Sequence, residues 1–186
     1  MTVCPAPENT GVVFRRVDMG QDVIVPALAE NVSNTARSTT ISCGDASVST
    51  IEHIMSALTG LGVDNAIIDI DNVEVPILDG SAKPYIEAMA ADGTVAQNAP
   101  RKFVTIDHEI EITDPKSGSM VRLTPADTLS FDVEVDFGSK VLGVQNVHWD
   151  LDTDYCKEVG VCRTFVFFHE IEFLFKNNHS KYRCTS

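Results

Sequence analysis

The chain has 186 residues, 44% hydrophobic and 22% charged, a globular composition that excludes a disordered or fibrous chain. With 27 Asp and Glu against 14 Lys and Arg the formal net charge is −13, and such an acidic surface argues against binding nucleic acid or anionic lipid through a basic field. No apolar run reaches the ~20 residues that cross a bilayer, no basic-then-apolar leader opens the sequence, and five cysteines (Cys4, Cys43, Cys156, Cys162, Cys184) without a CxxC pair fit a reducing, cytoplasmic setting.

Residues 1–45 are rich in Val, Ile, Thr and Asn and read as short strands and loops. From Val48 to Gly62 apolar residues recur at Ile51, Ile54, Met55, Leu58 and Leu61, which predicts a helix. Ser49 followed by Glu52 has the form of a capping box, and Gly60 and Gly62 supply stop signals. Asn65–Asp71 and Val73–Ile77 are short and β-rich, with Asp71-Asn72 as turn chemistry between them. Leu78-Asp-Gly-Ser81 breaks the pattern, and Ser81 is placed to cap a second helix that carries Pro84, Ile86 and Met89 and ends near Gly93. Residues 92–100 read as a connector. Strands are expected at Phe103–Ile106, Glu109–Ile112, Met120–Leu123 and Leu129–Phe137. The last alternates Leu129, Phe131, Val133, Val135 and Phe137 with Ser130, Asp132, Glu134 and Asp136, the pattern of a half-buried strand. Arg163–Phe175 reads as a turn leading into an apolar helix. Strands and helices in this order, run through twice, predict an α+β fold of two layered units: a first domain over residues 1–95 and a second over 101–186.

Glu52 and His53 are the first candidates for chemistry. At 100° per residue, Glu52 lies roughly 110° and His53 roughly 150° from the centre of the apolar stripe. His53 therefore points off the core face, beside the small Ser56 and Ala57. The bland reading makes Glu52 a routine capping glutamate and His53 a solvated residue. The chemical reading makes them a proton acceptor and a ligand or acid–base group. A catalytic zinc commonly takes three protein ligands plus water, and neither HExxH nor paired CxxC occurs. His169-Glu170 lacks a second histidine four residues on and reads as an exposed helical pair. Thr164, between the turn and the apolar helix, is placed either to cap that helix or to donate to a developing oxyanion. Phe165, Phe167 and Phe168 form the kind of cluster usually found in a core. Asp136 and Phe137 end the alternating strand, as a solvated loop start or as an acid and an aromatic facing a polar ring.

Cys4-Pro-Ala-Pro through Asp18, Ser49-Thr-Ile-Glu-His-Ile-Met through Asn65, Glu74-Val-Pro-Ile-Leu-Asp-Gly-Ser81 and Arg163-Thr-Phe-Val-Phe167 resemble, in this order, segments of the zinc-dependent UDP-3-O-acyl-N-acetylglucosamine deacetylases of lipid A synthesis. The resemblance covers roughly residues 2 to 176. It implies two similar two-layer α+β domains with an inter-domain cleft. It also implies hydrolysis of the substrate's acetamide to acetate and the free amine, with a Zn2+ cofactor. By the same resemblance Glu52 is the general base, Thr164 the oxyanion donor and His53 one zinc ligand. Phe165 and Phe167 are nearby active-site aromatics, Asp136 and Phe137 lie near the nucleotide-sugar, and Ser38 belongs to the site-lining loop Asn34–Thr39.

Members of that family begin with a further strand–loop region and continue to an HKxxD segment that supplies two more metal ligands, with a later histidine as general acid. His179-Ser-Lys181 comes too early and lacks the aspartate. The chain therefore reads as truncated at both ends, with its second domain and its zinc ligand set incomplete. Weak or no stoichiometric zinc, an inactive fragment and self-association through exposed apolar surface are the expectations. The competing reading is a non-catalytic α+β fragment or binding module in which Glu52 only caps a helix.

Overall fold

In the computed structural model, which describes residues 1–20, 22–168 and 172, the chain divides into two units. One comprises residues 1–97 with the described residues from 159 onward; the other comprises residues 98–158. Both are mixed α+β with small sheets and few helices.

The first unit is built on a four-stranded sheet in the order β1 (Thr2–Pro5), β7 (Ala66–Ile70), β2 (Val12–Arg16), β3 (Ile24–Pro26). β2 and β7 run parallel and the outer pairings are antiparallel. Period-2 alternation sorts the central pair. Phe14, Ala66, Ile68 and Ile70 are buried on one face. On the other, Arg15 lies in register with Asp69 and grips it through Nε and Nη2 at 2.6 and 2.7 Å. A second antiparallel sheet holds β4 (Val32–Asn34), β5 (Thr40–Cys43) and β6 (Ala46–Val48). The buried Arg16 ties the sheets together: Nη1 donates to the Ser47 carbonyl at 2.7 Å while Nε and Nη2 pair with Asp18. The early region is thus short strands and loops, and their partners, not their own periodicity, give them order.

Two helices pack together: α1 (Glu52–Gly60) and α2 (Lys83–Ala90). In α1 the buried arc is Ile51, Ile54, Ala57 and Leu58, with Ile54 and Ala57 at 0% exposure. Ala57 therefore belongs to the core and not to an approachable side, since it lies three residues after Ile54 on the same face. The expected capping box does not form. Ile51 is the N-cap and has no side-chain cap, because Ser49 is engaged elsewhere: its Oγ donates to the Val73 carbonyl. In α2, Ser81 sits one residue before the cap Ala82, and its Oγ accepts from the Lys83 N–H at 3.2 Å. Val73–Ile77 is not a strand; a single parallel bridge joins Glu74 to Ser49, and Pro76 removes a donor that a longer ladder would need.

The second unit has two antiparallel hairpins. β8 (Ile110–Thr113) pairs with β9 (Met120–Leu123), and β10 (Ser130–Asp136) pairs with β11 (Val144–Asp150). A single-turn helix, α3 (Tyr155–Glu158), follows. Phe103–Ile106, expected as a strand, has no pairing partner among the described residues and is irregular. The alternation of β10 is present, with Phe131 packed on Trp149 of β11 at 5.5 Å between ring centroids. The strand is nevertheless not half-buried: Phe131, Val133 and Val135 are exposed, and no residue from 98 to 158 is buried. A lone two-stranded ribbon has no second layer of its own to cover it.

Arg163–Phe167 is irregular and Phe168 and Glu172 are helical. The pair His169-Glu170 and the segment His179–Lys181 lie outside the described residues. No helix among the described residues is long and apolar enough to cross a membrane.

Candidate functional site

Segments far apart in sequence meet in the first unit around a cavity of about 260 Å³. The loop before β5 contributes Ala36, Arg37 and Ser38; the entry to α1 contributes Thr50, Glu52 and His53; the turn after β7 contributes Glu74 and Ile77; and Thr164 completes the lining.

Main-chain hydrogen bonds bring these segments together. The entry to α1 is clamped to residues 73–75 by Ser49 N–H to the Val73 carbonyl at 2.8 Å and Val75 N–H to the Ser49 carbonyl at 3.0 Å. It is clamped to the preceding loop by Ile51 N–H to the Thr39 carbonyl at 3.4 Å. Thr39 N–H then donates to Glu52 Oε2 at 3.0 Å. A carboxylate anchored through one oxygen presents the other in a fixed direction. Glu52 is thus oriented by a loop amide and does not cap its own helix.

Thr164 is seated by the turn Leu78–Ser81. Its N–H donates to the Gly80 carbonyl at 2.8 Å, and its Cγ2 lies 3.3 Å from where a Cβ on Gly80 would stand. Gly80 has φ +79°, and Leu78 also takes a positive φ of 53°. The turn is stiffened by Asp79, whose Oδ1 accepts from the Ser81 hydroxyl at 2.7 Å and from the Ser81 N–H at 3.1 Å. The Ser81 hydroxyl is the foremost reason the Asp79 carboxyl is held below the ordinary carboxylate range; Arg163, with Nε 3.8 Å from Asp79 Oδ2, adds to it.

Of the residues singled out in the sequence, Glu52, His53, Ser38 and Thr164 line this one cavity. Phe165 and Phe167 follow Thr164 and meet each other edge-to-face at 5.4 Å, without lining it. Asp136 and Phe137 belong to the second unit, at the end of β10, where Asp136 Oδ1 accepts from the Gly138 N–H at 2.7 Å. Sequence reasoning missed Thr50, Glu74 and Ile77 as lining residues and Gly80 as the seat of Thr164. Glu74, Ile77 and Gly80 lie in the Glu74–Ser81 segment, whose density of Pro, Asp and Gly was the available signal. Nothing local marks Thr50.

A carboxylate and an imidazole on one helix tip share a polar cavity with a hydroxyl in an α+β protein, side chains of the types that acid–base chemistry uses. The chain belongs to the UDP-3-O-acyl N-acetylglycosamine deacetylase (LpxC) family, whose model matches residues 1–183. It is 42% identical over 177 residues to the UDP-3-O-acyl-N-acetylglucosamine deacetylase of Teredinibacter turnerae, covering 94% of this chain and 58% of that protein. It is 41% identical over 181 residues to the enzyme of that name from Pseudomonas entomophila, covering 96% and 59%. It is 43% identical over 178 residues to the bifunctional enzyme LpxC/FabZ of Porphyromonas gingivalis, covering 96% and 38%. The chain therefore spans less than two-thirds of the length of these relatives.

The family uses zinc. Among the described residues no group of three His, Cys, Asp or Glu side chains is arranged to hold a metal. A catalytic zinc needs three protein ligands and an open position, so the described residues do not by themselves fit that ion.

Proposed function

We propose that the chain carries part of the active site of a deacetylase that hydrolyses the acetamide of UDP-3-O-acyl-N-acetylglucosamine to acetate and the free amine, the committed step of lipid A synthesis, in the cytoplasm. The observation that carries this reading is the convergence of Glu52, His53 and Thr164 on one cavity in a chain of this family. Water adds to the acetyl carbonyl carbon as Glu52 takes its proton. Charge develops on the carbonyl oxygen, and the Thr164 hydroxyl donates to it, a contribution whose removal typically costs about 10²–10³ in kcat. The C–N bond then breaks, the leaving nitrogen takes up the proton that Glu52 removed from the water, and acetate is released with Glu52 again ionised. His53 would supply one ligand for the zinc that the family uses. Ser38, Phe165 and Phe167 contact the substrate near the reacting group, and Asp136 and Phe137 contact the nucleotide-sugar. Two similar two-layer α+β domains are part of the same reading.

The competing reading, a binding module in which Glu52 is only a helix cap, is weakened because the Glu52 carboxylate bonds Thr39 and α1 has no side-chain cap. The test is titration of isotope-labelled chain with UDP-3-O-acyl-N-acetylglucosamine. Amide shifts should concentrate at Ser38, Glu52, His53 and Thr164, and acetate release, where measured, should fall about 10²–10⁴-fold in Glu52→Gln. Shifts absent or spread elsewhere, or release indifferent to Glu52→Gln, would overturn the proposal.

A further inference from the structure

The residue that leads into α1 holds a conformation its side chain resists. Thr50 has φ +60°, in the left-handed region where a β-branched residue is a genuine outlier. It is also buried, at 6% exposure, immediately before the cap Ile51 and two residues before Glu52. Backbone strain of this kind costs of order 1–3 kcal/mol and persists only where the surroundings over-determine it. Here they do. Ser49 is bonded on both its N–H and its carbonyl to residues 73–75, and the Thr50 hydroxyl donates to Glu74 Oε1 at 3.1 Å. Glu74 itself lines the cavity. Two links of this clamp depend on residue type, this bond and the one from Ser49 Oγ to the Val73 carbonyl, and only the first is made by the strained residue itself; the others are main chain and any residue would make them.

We propose that Thr50 and Glu74 are positioning residues, whose hydroxyl–carboxylate bond fixes the left-handed turn that aims Glu52 and His53 into the cavity. Without that bond, Thr50 relaxes towards negative φ, the chain enters α1 from another direction, and the first helical turn rotates. Only the purpose of the aim rests on the deacetylase reading; the geometry of the clamp does not.

The test uses two signals that exist without substrate. The Thr39 amide proton reports the Glu52 carboxylate it bonds, and the ring signals of His53, identified by their loss in His53→Gln, report the imidazole. Thr50→Val keeps the β-branch and with it the strain at φ +60°, yet it lacks the hydroxyl. The Thr39 amide should lose its hydrogen-bonded shift and the His53 signals should move and broaden. Thr50→Ser, which keeps the hydroxyl, should leave both at their wild-type positions. Glu74→Ala should reproduce Thr50→Val, and Glu74→Gln, which keeps an acceptor, should resemble wild type. Thermal melting separates a folded variant with a misaimed tip from an unfolded one, and Glu74→Ala carries the test if Thr50→Val melts early. The inference is overturned if folded Thr50→Val or Glu74→Ala leaves both signals in place, or if Thr50→Ser loses them equally. A wild-type chain whose amides do not respond to UDP-3-O-acyl-N-acetylglucosamine, while the variants show the expected pattern, overturns the deacetylase reading and leaves the positioning role standing. Substrate-induced shifts at the cavity with the Thr39 and His53 signals unmoved in the variants do the reverse.

Discussion

Gly80→Ala moves Thr164 without altering it. At φ +79° an L-residue pays roughly 1–2 kcal/mol for the left-handed conformation, while the lower freedom of Ala in the unfolded chain returns about 0.4–1 kcal/mol. The new Cβ would also stand 3.3 Å from Thr164 Cγ2 and 3.8 Å from the Thr164 carbonyl oxygen. The first contact is tighter than ordinary packing, and Thr164 cannot simply swing away, because its N–H is held at 2.8 Å by the Gly80 carbonyl. The net cost is on the order of 1 kcal/mol, and for a unit near 100 residues that lowers Tm by roughly 4–8 °C. Thr164 must retreat by a few tenths of an ångström. Since a misplacement of about 1 Å can cost 10²-fold in rate, a several-fold fall in kcat should accompany the shift on the proposed reading. Calorimetric melting and the Thr164 amide shift read the two effects separately. A Tm equal to or above wild type refutes the strained turn, and an unmoved Thr164 amide refutes the contact.

Ile54→Ala empties a fully buried position in α1 and should cost about 2–5 kcal/mol in denaturant unfolding; a loss under about 1 kcal/mol would mean that α1 is not packed as described. Hydrogen bonding to Arg15, foremost, holds the Asp69 carboxyl below the ordinary range, so its stabilisation is present above the unfolded value of about 3.9 and is lost as pH falls through the lower folded value. Asp69→Asn should therefore be less stable than wild type at neutral pH, with the gap closing in acid; a gap independent of pH contradicts the pair. Burial pushes the Tyr85 hydroxyl up to about 12, and it donates to the Pro76 carbonyl. That raised value means stability is lost as pH rises from the unfolded value of about 10 towards 12. Tyr85→Phe should cost about 0.5–1.5 kcal/mol, the net worth of the lost hydrogen bond, and should flatten the alkaline loss; an ultraviolet titration showing Tyr85 ionising near its ordinary value speaks against this burial.

Periodicity carried α1 from sequence to structure because the rule behind it is local: apolar residues three and four apart share a face whatever lies opposite. The capping box failed because Ser49 has a better partner in Val73, 24 residues away, which no window around Ser49 contains. β11 escaped notice for a related reason. Val144-Gln-Asn-Val-His-Trp-Asp150 has no clean alternation, and it is a strand because β10 lies beside it in register from Ser130–Asp150 to Asp136–Val144. Phe103–Ile106 errs the other way, a β-rich run with no partner strand among the described residues. At the site, side chains with distinctive chemistry were legible, and Glu52, His53, Ser38 and Thr164 do share a cavity. The sign of φ at Thr50 was not, because a β-branched residue takes that conformation only when its surroundings force it.

The division between legible and hidden residues follows the way the site is held. The side chains that face the cavity stand on segments fixed chiefly by main-chain bonds: Ser49 with residues 73–75, Ile51 with Thr39, and Thr164 with Gly80. Such bonds survive exchange of the facing side chain, so chemistry can change at Glu52, His53 or Thr164 with little penalty in stability. They do not survive a change in backbone direction. Thr50, at φ +60°, and Gly80, at φ +79°, set that direction on either side of the cavity. Substitutions at these turns should therefore disturb stability and the aim of the facing groups together, whereas substitutions of the facing groups should separate the two. That contrast is a property of the backbone clamp and holds whichever ligand the cavity takes.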